Sequence, residues 1–240
     1  MLSSDAENFY WLSRYVERAE NTAKLVNVNI ELLLDFVGNK SEGWKPVIEI
    51  TGMKDFFQKK YNDFNEVNSV KFLCQDTDND NSILSCLEKA QYNARPIRDN
   101  LPRSSIHQLN VLLKNFNDQI KSTTSRRKRT LIISEVTSGT QLFFGIISDN
   151  FSLGTEYQFI KLGRFIERAD MVSRIIDSQV LRKNQSLNIN GSYYSDSQFN
   201  QKLGIQRDTR LNQSAVSNAC LLYTSPSPRD LSTSRMPSSA

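Results

Sequence analysis

The chain has 240 residues, a net charge of +4, three cysteines and one histidine. A single histidine excludes a histidine-rich metal site and disfavours a Ser-His-Asp centre, so we expect no metal. The small net charge does not indicate a nucleic-acid partner. The sequence contains neither a GxGxxG nor a GKS/GKT phosphate loop, so no cofactor is predicted.

The hydrophobic content of 38% is enough for a buried core. No apolar run reaches the roughly 18 residues of a membrane helix, so we expect no membrane span. The N-terminus does not show the basic-then-apolar layout of a signal peptide. Three scattered cysteines, Cys74, Cys86 and Cys220, fit reduced thiols. Together these features predict a cytoplasmic protein.

Glycine and proline number only 9 and 6, which favours helices over a strand-rich fold. Apolar residues recur at helical spacing and predict an all-α helical bundle of about six to seven helices. The predicted helices are 5–36, 44–60 with a break near Gly52, 65–74, 80–101 with a kink at Pro96, 104–121, 130–148 and 155–183. The helix over 130–148 is almost wholly apolar, so we expect it to be the most buried.

Helical periodicity fades after residue 183, where Ser, Asn and Gln dominate. We predict a helical domain over 1–183, incomplete at its C-terminus, and an irregular or disordered tail over 184–240. Residues 220–240 resemble translated sequencing-adapter read-through, and we expect them to be an artefact rather than part of the native fold. On this interpretation the chain is a fragment, and the natural protein continues differently.

Two segments of the chain resemble each other. Residues 12–20 and 162–170 are identical at five of nine positions and conservatively changed at three. This match predicts an internal repeat, in which the first helix recurs at about 155–183.

The charged residues of each copy share one helical stripe. In the first copy the stripe contains Arg14, Arg18 and Asn21, with Glu17 at its edge. In the second copy it contains Arg164, Glu167 and Arg168.

Three interpretations are open at this point. The stripes could be solvated charged faces. The two helices could instead cross in the core and exchange arginine–carboxylate pairs across a pseudo-two-fold axis. The third possibility is a functional site, in which the candidates Arg14, Arg18, Arg164, Arg168 and Asn21 bind an anionic ligand and the candidate catalytic residues are Glu17 and Glu167.

Three ordered blocks resemble a known family. Residues 10–23, which contain the motif Tyr15-Val16-Glu17-Arg18, resemble the opening of the bacterial alpha-E domain, an uncharacterised all-helical domain with a Glu-Arg motif. Residues 72–99 resemble its middle block and residues 162–169 its third. The sequence departs from the family pattern at 79–82 and at Gln91-Tyr92.

Such domains are typically encoded beside ATP-grasp-type amide ligases and transglutaminase-like proteins. The resemblance therefore implies an accessory or binding partner of an ATP-grasp-type ligase, or of a transglutaminase-like protein, in the synthesis or modification of a peptide-like compound. The alternative is an enzyme that acts on an anionic, amide-containing substrate through its Glu-Arg motifs. The sequence leaves the oligomeric state open.

Two further charged clusters carry weaker signals. Asp76, Asp78 and Asp80 are spaced like half of a calcium loop, but Asn81 replaces the glycine that the turn needs, so we expect them to cap a helix that begins near Asp80. The basic run 126–129 could contact phosphates, but no aromatic residues are interleaved with it, so we expect an exposed connector.

Overall fold

In the residues that the structure describes, the fold is built from helices. A computed structural model describes residues 1–34, 42–123 and 125–186, and these ranges contain eight α-helices and no β-strand. The helices are α1 (Ser3–Leu34), α2 (Lys45–Ile50), α3 (Lys54–Lys60), α4 (Glu66–Cys74), α5 (Ile83–Ala94), α6 (Arg103–Ser122), α7 (Arg126–Asn150) and α8 (Thr155–Ser186). The all-α prediction is confirmed. The part of the expected tail beyond residue 186, and with it the adapter-like segment, lies outside the described residues.

The number of helices exceeds the prediction because the segment 44–60 forms two helices rather than one. Gly52 separates them with a φ of +73°, a conformation that side-chain-bearing residues rarely adopt. The space that a Cβ would take at this position is also occupied, since Arg174 Nη1 of α8 lies 2.6 Å from it. Gly52 therefore both breaks the helix and admits an arginine from α8.

Helix α1 is the centre of the bundle. It packs against α8, α5 and α7, and half of its 32 residues are buried. The prediction that the helix over 130–148 would be the most buried is wrong, because fewer than a third of the 25 residues of α7 are buried. The reason is geometric: α1 is covered on several sides, whereas α7 leaves one face, including Leu131 and Leu142, exposed.

Helix α7 is, within the described ranges, the one helix long and apolar enough to cross a membrane. Its most apolar window is 44% buried inside the bundle. Core helices of soluble proteins have the same composition, so this feature is weak evidence for a membrane span.

The segment 80–101 is not one kinked helix as predicted. Helix α5 begins at Ile83, and its N-cap is Ser82, whose side chain accepts a hydrogen bond from the Ser85 amide. It ends at Ala94 because Pro96 lacks an N–H and its ring obstructs a further helical turn. A short 3-10 turn, Arg98–Asn100, follows.

The two matched segments occupy different environments. Leu12, Val16 and Ala19 of α1 are fully buried, whereas their counterparts in α8, Leu162, Ile166 and Ala169, are half-buried. Both helices form an ion pair within one turn, Glu20–Lys24 in α1 and Asp170–Arg174 in α8. The same sequence pattern therefore lies in the core in α1 and at the edge of the bundle in α8.

Candidate functional site

Helices α1 and α8 cross at a point where both have small residues. A Cβ added at Gly163 would overlap the Ser13 hydroxyl and the Tyr10 carbonyl oxygen. Ser13 is fully buried, and its hydroxyl donates to that same carbonyl at 2.8 Å, so it leaves no unpaired polar group at the crossing. The close approach brings the charged stripes of the two helices face to face.

Glu167 of α8 is held by two arginines of α1. Arg14 Nε donates to Glu167 Oε2 at 2.7 Å. Arg18 contacts both carboxylate oxygens, with Nε to Oε1 at 2.6 Å and Nη2 to Oε2 at 2.9 Å. The second contact is a bidentate fork, the strongest arrangement that a guanidinium makes with a carboxylate.

Glu17 of α1 is held in the same way by two arginines of α8. Arg164 Nε donates to Glu17 Oε2 at 3.1 Å, and Arg168 Nε donates to Oε1 at 2.7 Å. Each helix thus supplies one carboxylate and two guanidiniums to the other. This reciprocity corresponds to the pseudo-two-fold exchange that was one of the three interpretations of the sequence.

The carboxylates and the guanidiniums differ in burial. Glu17 is 0% exposed and Glu167 is 2% exposed, whereas the four arginine side chains retain between 16% and 28% of their surface. A buried unpaired carboxylate would be costly, and two arginines on each offset that cost. The interpretation of the stripes as solvated faces is therefore wrong for the two glutamates.

Aromatic rings and an amide complete the surroundings of the arginines. The Arg164 guanidinium lies 3.9 Å from the ring centre of Phe144. Arg14 Nη1 donates to the Tyr10 hydroxyl at 2.9 Å, and Arg18 Nη1 donates to Asn81 Oδ1 at 3.0 Å. Phe144 and Asn81 lie far from the motif in sequence, and no local sequence signal indicated them.

The network favours the protonated form of the two arginines of α1. Burial lowers the pKa of Arg18, but its hydrogen bonds to Glu167 and the charge of that carboxylate outweigh the effect, so the pKa lies above its ordinary value. The pKa of Arg14 is raised as well, because hydrogen bonds to Tyr10 and Glu167 outweigh burial. Four guanidiniums against two carboxylates leave this region with an excess of positive charge.

Hydrogen bonds link six of the seven candidate residues across α1 and α8. Asn21 is the exception, because its Nδ2 is buried without a hydrogen-bond partner in the described part of the chain. Both oxygens of Glu17 and of Glu167 already accept hydrogen bonds from arginines. In this structure both carboxylates therefore serve as ion-pair partners of the arginines.

Comparison with known families identifies the motif. A family model named Alpha-E, described as a predicted alpha-helical domain with a conserved ER motif, matches residues 1–202. The chain belongs to the alpha-E family. The adjacent residues Glu17-Arg18 and Glu167-Arg168 each have the Glu-Arg sequence. No curated protein and no solved structure gives a significant match to this alpha-E chain.

The aspartate cluster of the alpha-E chain forms ion pairs with lysines. Lys60 Nζ lies 2.7 Å from both Asp76 Oδ1 and Asp78 Oδ2, and Lys89 Nζ lies 2.7 Å from Asp80 Oδ1. The expectation that Asp80 caps the helix is wrong, because Ser82 takes that position. Within the described ranges no group of three metal-ligating side chains converges.

The basic run is not the exposed connector that was predicted. It forms the first turn of α7, where Arg126 and Arg129 bind Glu66 of α4 at 3.2 and 2.9 Å. Arg127 and Lys128 of this alpha-E chain point outward. Two of the four basic residues, Arg126 and Arg129, therefore pack against the bundle because they pair with the Glu66 carboxylate.

Two cysteines of the alpha-E chain lie in the core. Cys74 and Cys86 are free thiols and fully buried. Burial raises the pKa of each to about 12, so both are neutral and poor nucleophiles at physiological pH. Cys220 lies outside the described residues.

Proposed function

We propose that this alpha-E chain is an accessory protein that binds an ATP-grasp-type amide ligase, or the product of that ligase, during the synthesis or modification of a peptide-like compound. The family resemblance suggests the partner, and the geometry of the Glu-Arg motifs supports a binding role. Cytoplasmic localisation and a transglutaminase-like protein as a second partner belong to the same proposal.

The observation that carries the proposal is that both carboxylates are buried and paired with arginines. A general acid or base has to reach the proton that it transfers, at hydrogen-bond distance or through one water. Glu17 and Glu167 are buried, and each is held by two guanidiniums. The motif therefore works as a clasp between α1 and α8, which supports the accessory role more than the alternative enzyme.

The excess positive charge of the clasp supports a role for its arginines in binding. Arg164 and Arg168 keep 27% and 28% of their side-chain surface exposed. An anionic group on the ligase or on its product could contact these guanidiniums without displacing the glutamates. Arg14 and Arg18 complete the proposed set of ligand contacts, and Asn21 is left out because its Nδ2 is buried.

The test is co-expression of the chain with the ATP-grasp ligase encoded beside it, followed by affinity purification and a product assay. We expect the ligase to co-purify, or product formation to rise when the purified chain is added. A ligase that neither binds the chain nor responds to it would refute the proposal.

A substitution at the clasp separates the two candidate functions. Glu17→Gln keeps the shape of the side chain and removes its charge. In an accessory protein, the variant should still support product formation wherever it is folded. The alternative enzyme would be favoured if the isolated chain has an activity that Glu17→Gln abolishes while the variant remains folded.

A further inference from the structure

A second candidate site lies between α5 and α6. The two helices pack side by side and leave an open groove of about 540 Å³. The residues of this groove that matter here are Gln91, Tyr92, Arg95, Leu113, Lys114 and Asn117. They recur every three or four positions along each helix, so one face of α5 and one face of α6 form the two walls.

Arg95 is held in place by a chain of two amides. Its Nη2 donates to Gln91 Oε1 at 3.0 Å, and Gln91 Nε2 donates to Asn110 Oδ1 at 2.8 Å. Arg95 makes no ion pair within the described ranges. The exposed guanidinium is thus oriented by neutral groups, and its remaining N–H groups are available to an anionic ligand.

Two further groups of the groove have unused binding capacity. Lys114 is exposed and makes no ion pair with any described residue. The Tyr92 side chain is 70% exposed and offers an aromatic face to a ligand.

We propose that this groove binds a peptide-like ligand through its free carboxylate. The carboxylate binds the Arg95 fork and Lys114, and an apolar side chain of the ligand packs on Tyr92 and Leu113. The choice of a peptide-like ligand rests on the proposed function. The groove itself supplies the preference for a carboxylate next to an apolar side chain.

The charges at the rim favour a peptide over a polyanion. Glu88 and Asp118 also line the groove, and two carboxylates would repel a phosphate backbone. They suit the amino groups of a ligand that carries both signs of charge. A mixed rim around one oriented arginine therefore matches a short peptide.

Isothermal titration of the purified full chain tests this proposal. The probe is an acetylated alanine-leucine-alanine tripeptide with a free carboxylate, and the comparison ligand is the same tripeptide with a C-terminal amide. We expect the acid to bind with a millimolar or lower Kd and the amide to bind at least about ten-fold more weakly. Arg95→Gln should weaken binding of the acid by a similar factor, because the fork is lost.

Arg98→Gln is the matched control, since Arg98 is 73% exposed and does not line the groove. It should bind like the unchanged chain, and circular dichroism should show that both variants are folded. Three results would overturn the inference: no binding of the acid at about 5 mM, equal binding of acid and amide, or unchanged binding by Arg95→Gln. Inorganic phosphate that displaces the tripeptide with equal affinity would also overturn it, because the groove would then be a simple anion site.

These outcomes are independent of the proposed function. The titration uses the chain alone, whereas the co-purification uses the ligase. If the chain binds the ligase but not the tripeptide, the groove proposal is refuted and the proposed accessory function stands. If the chain binds the tripeptide but not the ligase, the proposed accessory function is refuted and the groove proposal stands.

Discussion

The substitution Glu167→Gln tests the clasp most directly. It removes one buried negative charge and leaves Arg14 and Arg18 facing a neutral amide of the same shape. The carboxylate accepts three N–H contacts of 2.6 to 2.9 Å, and hydrogen bonds to charged groups contribute roughly 1.5–3 kcal/mol each. Breaking a buried pair by removal of one partner costs about 3–5 kcal/mol.

The expected cost lies at the low end of that range because the arginines can rehydrate. Their side chains are 16% and 20% exposed, and the glutamine retains an acceptor. We therefore expect the free energy of unfolding to fall by about 3 kcal/mol. Glu17→Gln should cost about 2 kcal/mol, since Glu17 accepts two Nε contacts from arginines that are 27% and 28% exposed.

Urea unfolding followed by far-ultraviolet circular dichroism measures both effects. The slope of the unfolding free energy against urea concentration should be the same in the variants and the unchanged chain, as two-state unfolding requires. The exposed residue Glu135 on α7 supplies the control, and Glu135→Gln should change stability by less than about 0.5 kcal/mol. A loss below about 1 kcal/mol for Glu167→Gln would refute the clasp as a stabilising element. A larger loss for Glu17→Gln than for Glu167→Gln would refute the ordering by exposure.

Two other features give predictions of the same kind. Gly163→Ala should destabilise the chain by about 1–3 kcal/mol, because the new methyl group meets α1. Gly145→Ala, with nothing within 4 Å of its Cβ, should stabilise it by about 0.5–1 kcal/mol in the same urea assay. In a Cys220→Ser background, Cys74 and Cys86 should resist iodoacetamide at about pH 8 until the chain is unfolded. Burial raises their pKa to about 12, so the stability that they contribute is complete below the unfolded thiol pKa of about 8.5. It should then fall by up to about 1.4 kcal/mol per pH unit and per thiol as the pH rises towards 12. Replacement of both by alanine should remove that part of the decline, and an identical decline in the replaced chain would contradict it.

Most helices were predictable because their signals are local. Apolar spacing located α1, α4, α6 and α8 to within a few residues, and Gly52 marked the break between α2 and α3. The errors have identifiable tertiary or local causes. Helix α7 begins four residues earlier than expected because Glu66 of α4 pairs with its first turn.

The sequence by itself determined which side chains share a stripe, since the helical repeat places Arg14, Glu17 and Arg18 together wherever the helix lies. It also determined, through the match of 12–20 with 162–170, that the same set occurs twice. Only the tertiary structure decided that the stripes face each other, because a charged stripe is equally compatible with water until a second helix supplies counter-charges. The Arg95–Gln91–Asn110 hydrogen-bond chain was likewise decided by the tertiary structure. Its last hydrogen bond joins residues of different helices, and packing rather than periodicity brings them within reach.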